Sequence, residues 1–272
     1  MIHSHAREFL SKVFCEQEAE EKRSNVFVTL TYAQSLDGKI AGEGGKQILL
    51  SGEESMVMTH RMRTKHDGIL VGIGTVLSDD PKLTARRLEP GEESTISQPR
   101  PIILDPKLKF PLNAKLLNKD ESNENKSHRK TPWIFTQHKH DIKKKLLLEQ
   151  AGAKILTIDS DENGYLSLSQ LLTVLSRPPL SISRLMVEGG AKIIQSFFKS
   201  GLVDLLIVTI APVYVVRGIS VVDEENQGKG RIDSPSKDIK FIQREVHYEQ
   251  FGRDVVMAVA LTNGLIENAE GE

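Results

Sequence analysis

The chain has 272 residues, of which 39% are apolar and 27% are charged, and its formal net charge is −1. A nearly neutral chain lacks the positive field that favours binding to nucleic acid or to an anionic membrane. Cys15 is the only cysteine, which excludes an intramolecular disulfide and a cysteine-based zinc site.

Targeting signals are also missing from the sequence. No apolar run approaches the roughly 18 residues that suggest a membrane-spanning helix. The first residues lack the apolar core of a secretory signal, so we expect a cytoplasmic protein.

Strands and helices are predicted to alternate along most of the chain. Residues 1–24 are charged but carry one apolar stripe, which indicates a helical extension that is either an appendage or a docking helix. Apolar and β-branched runs predict strands at 26–32, 67–71, 100–105, 132–136, 153–158, 185–187, 204–211, 241–248 and 254–261. Helices are predicted at 51–64, 142–149, 166–175 and 191–199, with a short helix or turn at 72–81.

This order predicts an α/β fold with a mostly parallel central sheet and flanking helices. Two consecutive strands at the end of the chain predict antiparallel C-terminal strands, and the apolar strand 254–261 suggests an edge at which a dimer forms. No Pro/Gly/Ser linker divides the chain, so we predict one domain over 25–272. Polar loop insertions are expected at about 117–131 and 223–238.

The helix at 51–64 has a recognisable start and a basic end. Ser51 and Glu54 have the spacing of a capping box, in which each would satisfy a free N–H group of the first turn. Near its end, His60 is interpreted as a packing or surface histidine rather than a base. Arg63 by itself is interpreted as a solvated residue in an i, i+4 pair.

Two glycine-bearing turns, at Gly72 to Gly74 and at Gly189-Gly190, follow two different predicted strands. Ligands of open α/β sheets bind beyond the carboxyl ends of the strands, so a dinucleotide could touch both turns. The helix after Gly190 would point free N–H groups at a phosphate. A tight turn that needs glycine only for its geometry is an equally good interpretation. The Gly-x-Gly-x-x-Gly fingerprint is absent, since Leu77 occupies the third glycine position.

Polar side chains accompany both turns. Thr75 adds a hydroxyl beside the first turn, and Asp79 and Asp80 add carboxylates, although the two aspartates could simply brace the turn before Pro81. Glu188 follows a buried strand, where a carboxylate is costly unless it has a partner. Glu188 is therefore the best candidate for a functional side chain from the residues alone.

Several segments together resemble a known enzyme family. They are SLDGKIA (35–41), LSGEES (50–55), HRMR (60–63), VGIGTVLSDDPKLTAR (71–86), RPIILDPKLKFP (100–111) and LMVEGGAKII (185–194). In this order they resemble the pyrimidine reductases of riboflavin biosynthesis, of the stand-alone fungal or archaeal type, over roughly residues 26–262. The resemblance implies a single-domain fold like that of dihydrofolate reductase. Bacterial relatives carry a fused zinc deaminase, whose His-x-Glu and Pro-Cys-x-x-Cys patterns this chain lacks.

The resemblance also implies an activity and a set of site residues. The family uses NADPH to reduce a small molecule, 2,5-diamino-6-ribosylamino-4(3H)-pyrimidinone 5′-phosphate, to the ribitylamino compound. The residues implied to bind the cofactor are Thr75, Asp79, Gly189, Gly190, Ala191, Lys192 and Ile193. The residues implied to bind the substrate are Arg63, Leu83, Arg86 and Glu188. No metal is implied, and a homodimer is expected by analogy.

The chemistry of these residue types agrees with that division. An arginine fork can bind two oxygens of a 5′-phosphate, and Glu188 can accept hydrogen bonds from ring amino groups. The sequence departs from many bacterial relatives at Leu49, where they carry tryptophan.

The expected reaction is hydride transfer from C4 of the nicotinamide to C1′ of the ribosyl group, after the glycosylamine opens to an imine. No pair of residues is identified as a general acid, so catalysis is expected to rest on positioning and electrostatics. Two alternatives stay open at this point. One is a reductase of another pterin or pyrimidine, dihydrofolate included, and the other is a non-catalytic nucleotide-binding module.

Overall fold

A computed structural model of the chain describes residues 2–18, 26–92, 95–117, 130–161, 164–221 and 243–261. Its helices are α1 (Ile2–Glu18), α2 (Glu53–Arg63), α3 (Ile73–Asp79), α4 (Ile142–Gln150), α5 (Leu168–Ser176) and α6 (Ala191–Ser200). Its first strands are β1 (Phe27–Ser35), β2 (Lys39–Gly42), β3 (Gly68–Gly72), β4 (Arg100–Leu104), β5 (Trp133–Thr136) and β6 (Lys154–Thr157). The remaining strands are β7 (Arg184–Val187), β8 (Leu205–Ala211), β9 (Gly218–Ser220), β10 (Gln243–Phe251) and β11 (Asp254–Leu261). Among the helices described, none combines the length and the apolar character that crossing a bilayer requires.

A nine-stranded sheet in the order β10-β11-β8-β1-β7-β3-β4-β5-β6 forms the centre of the fold. The strands from β8 to β6 in this order pair in parallel, whereas β11 runs antiparallel to β8 and β10 antiparallel to β11. The predicted mostly parallel sheet with antiparallel C-terminal strands is therefore confirmed. The small antiparallel sheet of β2 and β9 was not predicted, because two short segments rich in glycine carry little strand signal.

The prediction that the strand 254–261 forms a sheet edge is wrong. Strand β11 pairs with β8 on one side and with β10 on the other, so β10 is the outer strand. The strong apolar character of β11 reflects burial within the sheet. It gives no support to a dimer edge at this strand.

Both faces of the parallel sheet are buried, because neighbouring residues of one strand enter different apolar clusters. Leu70 of β3 packs in the cluster that includes Phe197 of α6, whereas Ile69 and Val71 pack in the cluster that includes Leu148 of α4. This is the arrangement expected of central strands that read as continuous apolar runs. It leaves the carboxyl edge of the sheet as the natural place for a ligand site.

Helix α1 packs closely against the rest of the fold. Its side chains at most 3% exposed are those of Ala6, Phe9, Leu10, Val13 and Phe14. They belong to the same apolar cluster as Met58 and Met62 of α2 and Phe251 of β10. The predicted helix is thus present and docked on its own chain. The division of the chain into an extension and one reductase domain stays a prediction.

The predicted capping box at the start of α2 is wrong. The N-cap residue is Gly52, which has no side chain with which to cap the helix. Asp254, at the start of β11, accepts a hydrogen bond of 2.6 Å from the Gly52 N–H and another from the Ser55 hydroxyl. A carboxylate distant in sequence therefore provides the contact that Ser51 and Glu54 were predicted to supply locally.

The two predicted polar insertions cannot be compared with the structure. The loops at about 117–131 and 223–238 fall almost entirely on residues 118–129 and 222–242, which lie outside the described residues.

Candidate functional site

A cleft of about 1540 Å³ lies at the carboxyl edge of the central sheet. Gly72, Leu104 and Glu188, which stand at or just beyond the ends of β3, β4 and β7, all line it. Ligand pockets usually have volumes of about 300–1,000 Å³. The cleft is therefore large enough for more than one small molecule, as expected at this edge of an α/β sheet.

The cleft brings together most of the residues singled out from the sequence. Those that line it are Arg63, Thr75, Asp79, Glu188, Gly189, Gly190, Ala191, Lys192 and Ile193. Leu83 and Arg86 are absent from the walls that the described residues form. The side chain of Leu83 is only 3% exposed and packs in an apolar cluster with Ile69 and Val71.

The two glycine turns meet each other because β3 and β7 are neighbours in the sheet. A Cβ at Gly72 would lie 2.8 Å from Cγ1 of Ile193, and a Cβ at Gly189 would lie 3.1 Å from Cβ of Ile193. Gly190 has φ of 71°, a left-handed conformation that residues with a Cβ rarely adopt. These three glycines are needed for the turn and for packing against α6. Only Gly74 of this set has open space around its Cβ position.

The N-terminus of α6 faces the cleft, because Gly190, Ala191 and Lys192 all belong to its wall. The helix starts at Ala191 after the N-cap residue Gly190, which makes no side-chain hydrogen bond. In contrast, Asp141 caps α4 and Ser167 caps α5 through their own side chains. Free N–H groups and the positive end of the helix dipole suit an anion such as a phosphate group.

Arg63 and Glu188 form an ion pair inside the cleft. Nε and Nη2 of Arg63 each donate a hydrogen bond of 2.7 Å to a different carboxylate oxygen of Glu188. The two side chains are 11% and 16% exposed, so water screens the pair weakly. This finding excludes the interpretation of Arg63 as a solvated residue and supplies the partner that Glu188 requires.

The neighbouring carboxylates Asp79 and Asp80 have different surroundings. Asp80 has φ of 40° and accepts a hydrogen bond of 2.8 Å from the Lys115 N–H, with its other oxygen 3.5 Å from Nζ of Lys115. Asp80 therefore braces the turn before Pro81. Asp79 lies half-buried on the wall of the cleft, where its carboxylate can meet a ligand.

His60 and Arg63 of α2 hold the segment that carries Arg86. Nδ1 of His60 lies 3.2 Å from the Arg86 N–H, and Nη1 of Arg63 donates a 2.8 Å hydrogen bond to the Thr84 carbonyl. Burial first, and then the charges of Arg63, Arg86 and Arg87, lower the pKa of His60 to about 3. A neutral, 1% exposed ring agrees with a packing role for His60.

Part of the cleft wall was missed by the sequence reasoning. Residues 47–51 and the β2–β9 sheet line the cleft, and Leu49 is 83% exposed there. Tyr32 of β1 also lines it, and burial raises the pKa of its hydroxyl to about 12. Leu49 was noted from the sequence only as a departure from bacterial relatives, and Tyr32 only as part of a predicted strand, because only the folded chain shows which face they occupy.

Comparisons with known proteins agree on one family. The RibD C-terminal domain matches residues 26–257 of the chain. A 2,5-diamino-6-ribosylamino-4(3H)-pyrimidinone 5′-phosphate reductase from Candida glabrata is 36% identical over 243 residues, covering 87% of this chain and 90% of that protein. The protein of the same name from Debaryomyces hansenii is 43% identical over 198 residues, covering 70% of this chain and 76% of its own length.

Solved structures show the same likeness. The Saccharomyces cerevisiae riboflavin biosynthesis reductase Rib7 superposes with a TM-score of 0.69 at 28% identity, covering 94% of this chain and 98% of that chain. RibD from Acinetobacter baumannii has a TM-score of 0.69 at 24% identity, covering 93% of this chain and 62% of that chain, which is a likeness of fold.

Proposed function

Because the chain belongs to the RibD C-terminal domain family, we propose that it catalyses one reduction in riboflavin biosynthesis. The reaction is the NADPH-dependent conversion of 2,5-diamino-6-ribosylamino-4(3H)-pyrimidinone 5′-phosphate to the ribitylamino compound, the activity that its fungal relatives are named for. One observation carries the proposal. Thr75, Asp79 and the turn at Glu188 to Gly190, which are far apart in sequence, line a single cleft.

The residues of the cleft fit a dinucleotide. The uncapped N-terminus of α6, at Ala191 and Lys192, would hold the pyrophosphate through main-chain N–H groups. The Thr75 hydroxyl would donate or accept hydrogen bonds at ribose or carboxamide groups, and the Asp79 carboxylate would accept them from ribose hydroxyl or carboxamide N–H groups. Gly74, with open space around it, allows close approach of the main chain. When bound, NADPH supplies the hydride.

Glu188 is proposed to hold the pyrimidinone ring by accepting hydrogen bonds from its amino groups. Each carboxylate oxygen receives only one hydrogen bond from Arg63, so each keeps a lone pair for the substrate. Arg63 donates to Glu188 and to the Thr84 carbonyl. Its main task in this proposal is therefore to hold Glu188, and a phosphate contact uses only the N–H groups that remain.

Catalysis in this cleft is proposed to rest on positioning. The imine form of the substrate is already electrophilic at C1′, so the main task of the chain is to orient it beside the nicotinamide. No histidine is among the described residues that line the cleft. Burial raises the pKa of Tyr32 to about 12, which makes its hydroxyl a weaker proton donor than that of an ordinary tyrosine. Solvent or a substrate group is left to supply the proton that accompanies the hydride.

The test is an assay of the purified protein with the proposed substrate and NADPH. Oxidation of the nicotinamide together with formation of the ribitylamino product is the expected result. Dihydrofolate is offered in a parallel reaction, and its reduction instead would favour a different pterin reductase. Tight NADPH binding with no turnover of either compound would favour a non-catalytic nucleotide-binding module.

A homodimer and a cytoplasmic location remain predictions. Strand β11 lies inside the sheet, between β8 and β10, so it offers no free edge through which two copies of the chain could pair. Sedimentation of the purified protein at several concentrations measures its assembly directly.

A further inference from the structure

We propose that Asp254 is a positioning residue for the reaction and that it fixes one wall of the cleft from outside the cleft. The kinetic part of this inference rests on the proposed function, whereas its structural part does not. Asp254 is fully buried and stands directly after the turn between β10 and β11. It does not line the cleft formed by the described residues.

The carboxylate of Asp254 holds the first turn of α2. Its Oδ2 accepts a 2.6 Å hydrogen bond from the Gly52 N–H and a second one from the Ser55 hydroxyl. Hydrogen bonds to an ionised acceptor are about twice as strong as neutral ones, and a negative charge is favourable at a helix N-terminus. One side chain of β11 therefore fixes both the start of α2 and the main chain that enters it.

Neighbours of Asp254 in the turn hold the same segment. Nη2 of Arg253 donates a 2.9 Å hydrogen bond to the Leu50 carbonyl. Gly252 has φ of 60°, and a Cβ at this position would overlap the carboxylate of Glu54. The turn is therefore closely packed against residues 50–55 through three consecutive residues.

The held segment is part of the cleft. Leu49, Leu50 and Ser51 all line it, and Leu49 is 83% exposed. The other end of α2 is Arg63, which pairs with Glu188. A rigid helix of 11 residues connects the anchored end with the ion pair. Displacing its first turn would therefore disturb both the wall and the pair.

Helix α1 packs against Phe251, the last residue of β10 before the turn. Phe251 is 1% exposed, and its ring centroid lies 5.4 Å from that of Phe9 and 4.6 Å from that of His5. This packing restrains the main chain just before Asp254. The carboxylate thus has a fixed base from which to hold α2.

The test compares Asp254→Ala and Asp254→Asn with a matched control, Asp141→Ala. Asp141 also accepts main-chain hydrogen bonds at a helix N-terminus, but it caps α4, which is absent from the lining of the cleft. Asp254→Ala is expected to raise the KM of the proposed reduction about tenfold. Only a minor fraction of the molecules would then hold residues 49–51 in the position that binds the ligand. Asp254→Asn keeps an acceptor oxygen, so we expect a rise of only about threefold. Asp141→Ala should lower the Tm while leaving KM unchanged.

Amide hydrogen exchange provides a readout that does not depend on activity. In Asp254→Ala, residues 47–56 should lose protection while α4 keeps it, and the reverse should hold in Asp141→Ala. If the wild-type protein fails to reduce the proposed substrate, the proposed function falls, and the exchange comparison still tests the role of Asp254. If Asp254→Ala does not fold, Asp254→Asn serves alone. Wild-type KM and wild-type exchange at 47–56 in the variants that fold would overturn the inference.

Discussion

Arg63 and Glu188, which are 125 residues apart in sequence, form a two-point ion pair with both hydrogen bonds at 2.7 Å. The pair joins the end of α2 to the turn after β7 and stands on the wall of the cleft. The pair connects Glu188, which is proposed to bind the ring of the substrate, with α2. The first turn of α2 is held by Asp254. Removal of the pair should therefore affect both stability and substrate use.

Replacing Arg63 by Met should leave a largely buried carboxylate without its partner. We expect the free energy of unfolding to fall by about 3 kcal/mol, as measured by urea denaturation. Adding Glu188→Gln in the same chain should recover part of that loss, because no charge is then left unpaired. Strictly additive losses in the double variant would contradict this account of the pair.

Glu188→Gln alone should weaken the substrate more than the cofactor. The amide keeps one acceptor oxygen but cannot offer two to Arg63 and to the ring amino groups. Separate titrations should show the affinity for the pyrimidine lowered about tenfold or more, with NADPH affinity nearly unchanged. An equal loss for both ligands would remove Glu188 from a specific role at the substrate.

Asp79→Asn and Asp80→Asn form a matched pair of adjacent carboxylates. Asp79 faces the cleft, so its replacement should raise the KM for NADPH while the Tm stays the same. Asp80 binds the Lys115 N–H instead, and asparagine keeps an acceptor oxygen for that bond, so its replacement should change the Tm little and leave the KM for NADPH unchanged. A raised KM for NADPH in Asp80→Asn, with an unchanged KM in Asp79→Asn, would show that Asp80 and not Asp79 contacts the cofactor.

Gly72→Ala and Gly74→Ala should separate packing from ligand approach. The new methyl group at Gly72 would press on Ile193, and we expect a loss of about 1–3 kcal/mol in unfolding free energy. Gly74 lies in α3 with open space around it, so alanine there should keep or slightly raise stability. Weaker NADPH binding by a stable Gly74→Ala protein would support close approach of the cofactor, and unchanged binding would argue against it.

Acid should destabilise the fold through its buried histidines. Burial lowers the pKa of His66 to about 4, whereas an unfolded histidine has a pKa near 6.5. As the pH falls below about 6.5, the unfolded chain takes up a proton at this position before the folded chain does. The contribution of His66 to the free energy of unfolding is therefore fully present above about pH 6.5 and falls by about 3 kcal/mol as the pH drops towards 4.

The variant His66→Gln should reduce that slope of unfolding free energy against pH. His138, whose side chain is 65% exposed, provides the control substitution His138→Gln, which should keep the wild-type slope. Identical slopes in all three proteins would show that another group drives the acid transition.

Helix α1 should unfold together with the sheet. Phe9 is 3% exposed against Phe251, so Phe9→Ala should cost about 3 kcal/mol in unfolding free energy with a single transition retained. Lys12→Ala, on the exposed face of the same helix, should change stability by less than about 0.5 kcal/mol. A separate early transition for α1 would instead support an independent extension.

Much of the fold was predictable because its signals are local. The buried strands β3, β7 and β8 appear in the sequence as short apolar runs, and α6 has apolar residues at helical spacing. The cap of α2 was not predictable in this way. Ser51 and Glu54 satisfy the local pattern, but the N-cap residue is Gly52, and its N–H donates to Asp254, which is 202 residues away in sequence.

The roles of the glycines show the same limit. Sequence identified Gly72 and Gly189 as positions where something comes close to the main chain, without showing that the neighbour is Ile193 rather than a ligand. Leu83 and Arg86 stand in a segment that resembles the family, yet the described cleft does not include them. What approaches a main chain depends on contacts between distant segments.

By itself, the sequence determined the alternation of strands and helices, the family that the chain resembles and the residues that frame the two turns. These follow from side-chain periodicity and residue order, which are properties of short stretches. Only the tertiary structure decided that Arg63 pairs with Glu188, that Asp254 holds α2, and that Asp80 accepts a hydrogen bond from the Lys115 N–H. These contacts depend on which side chains lie within hydrogen-bonding distance of a given charge or N–H group in the folded chain. Spacing along the sequence does not give that distance.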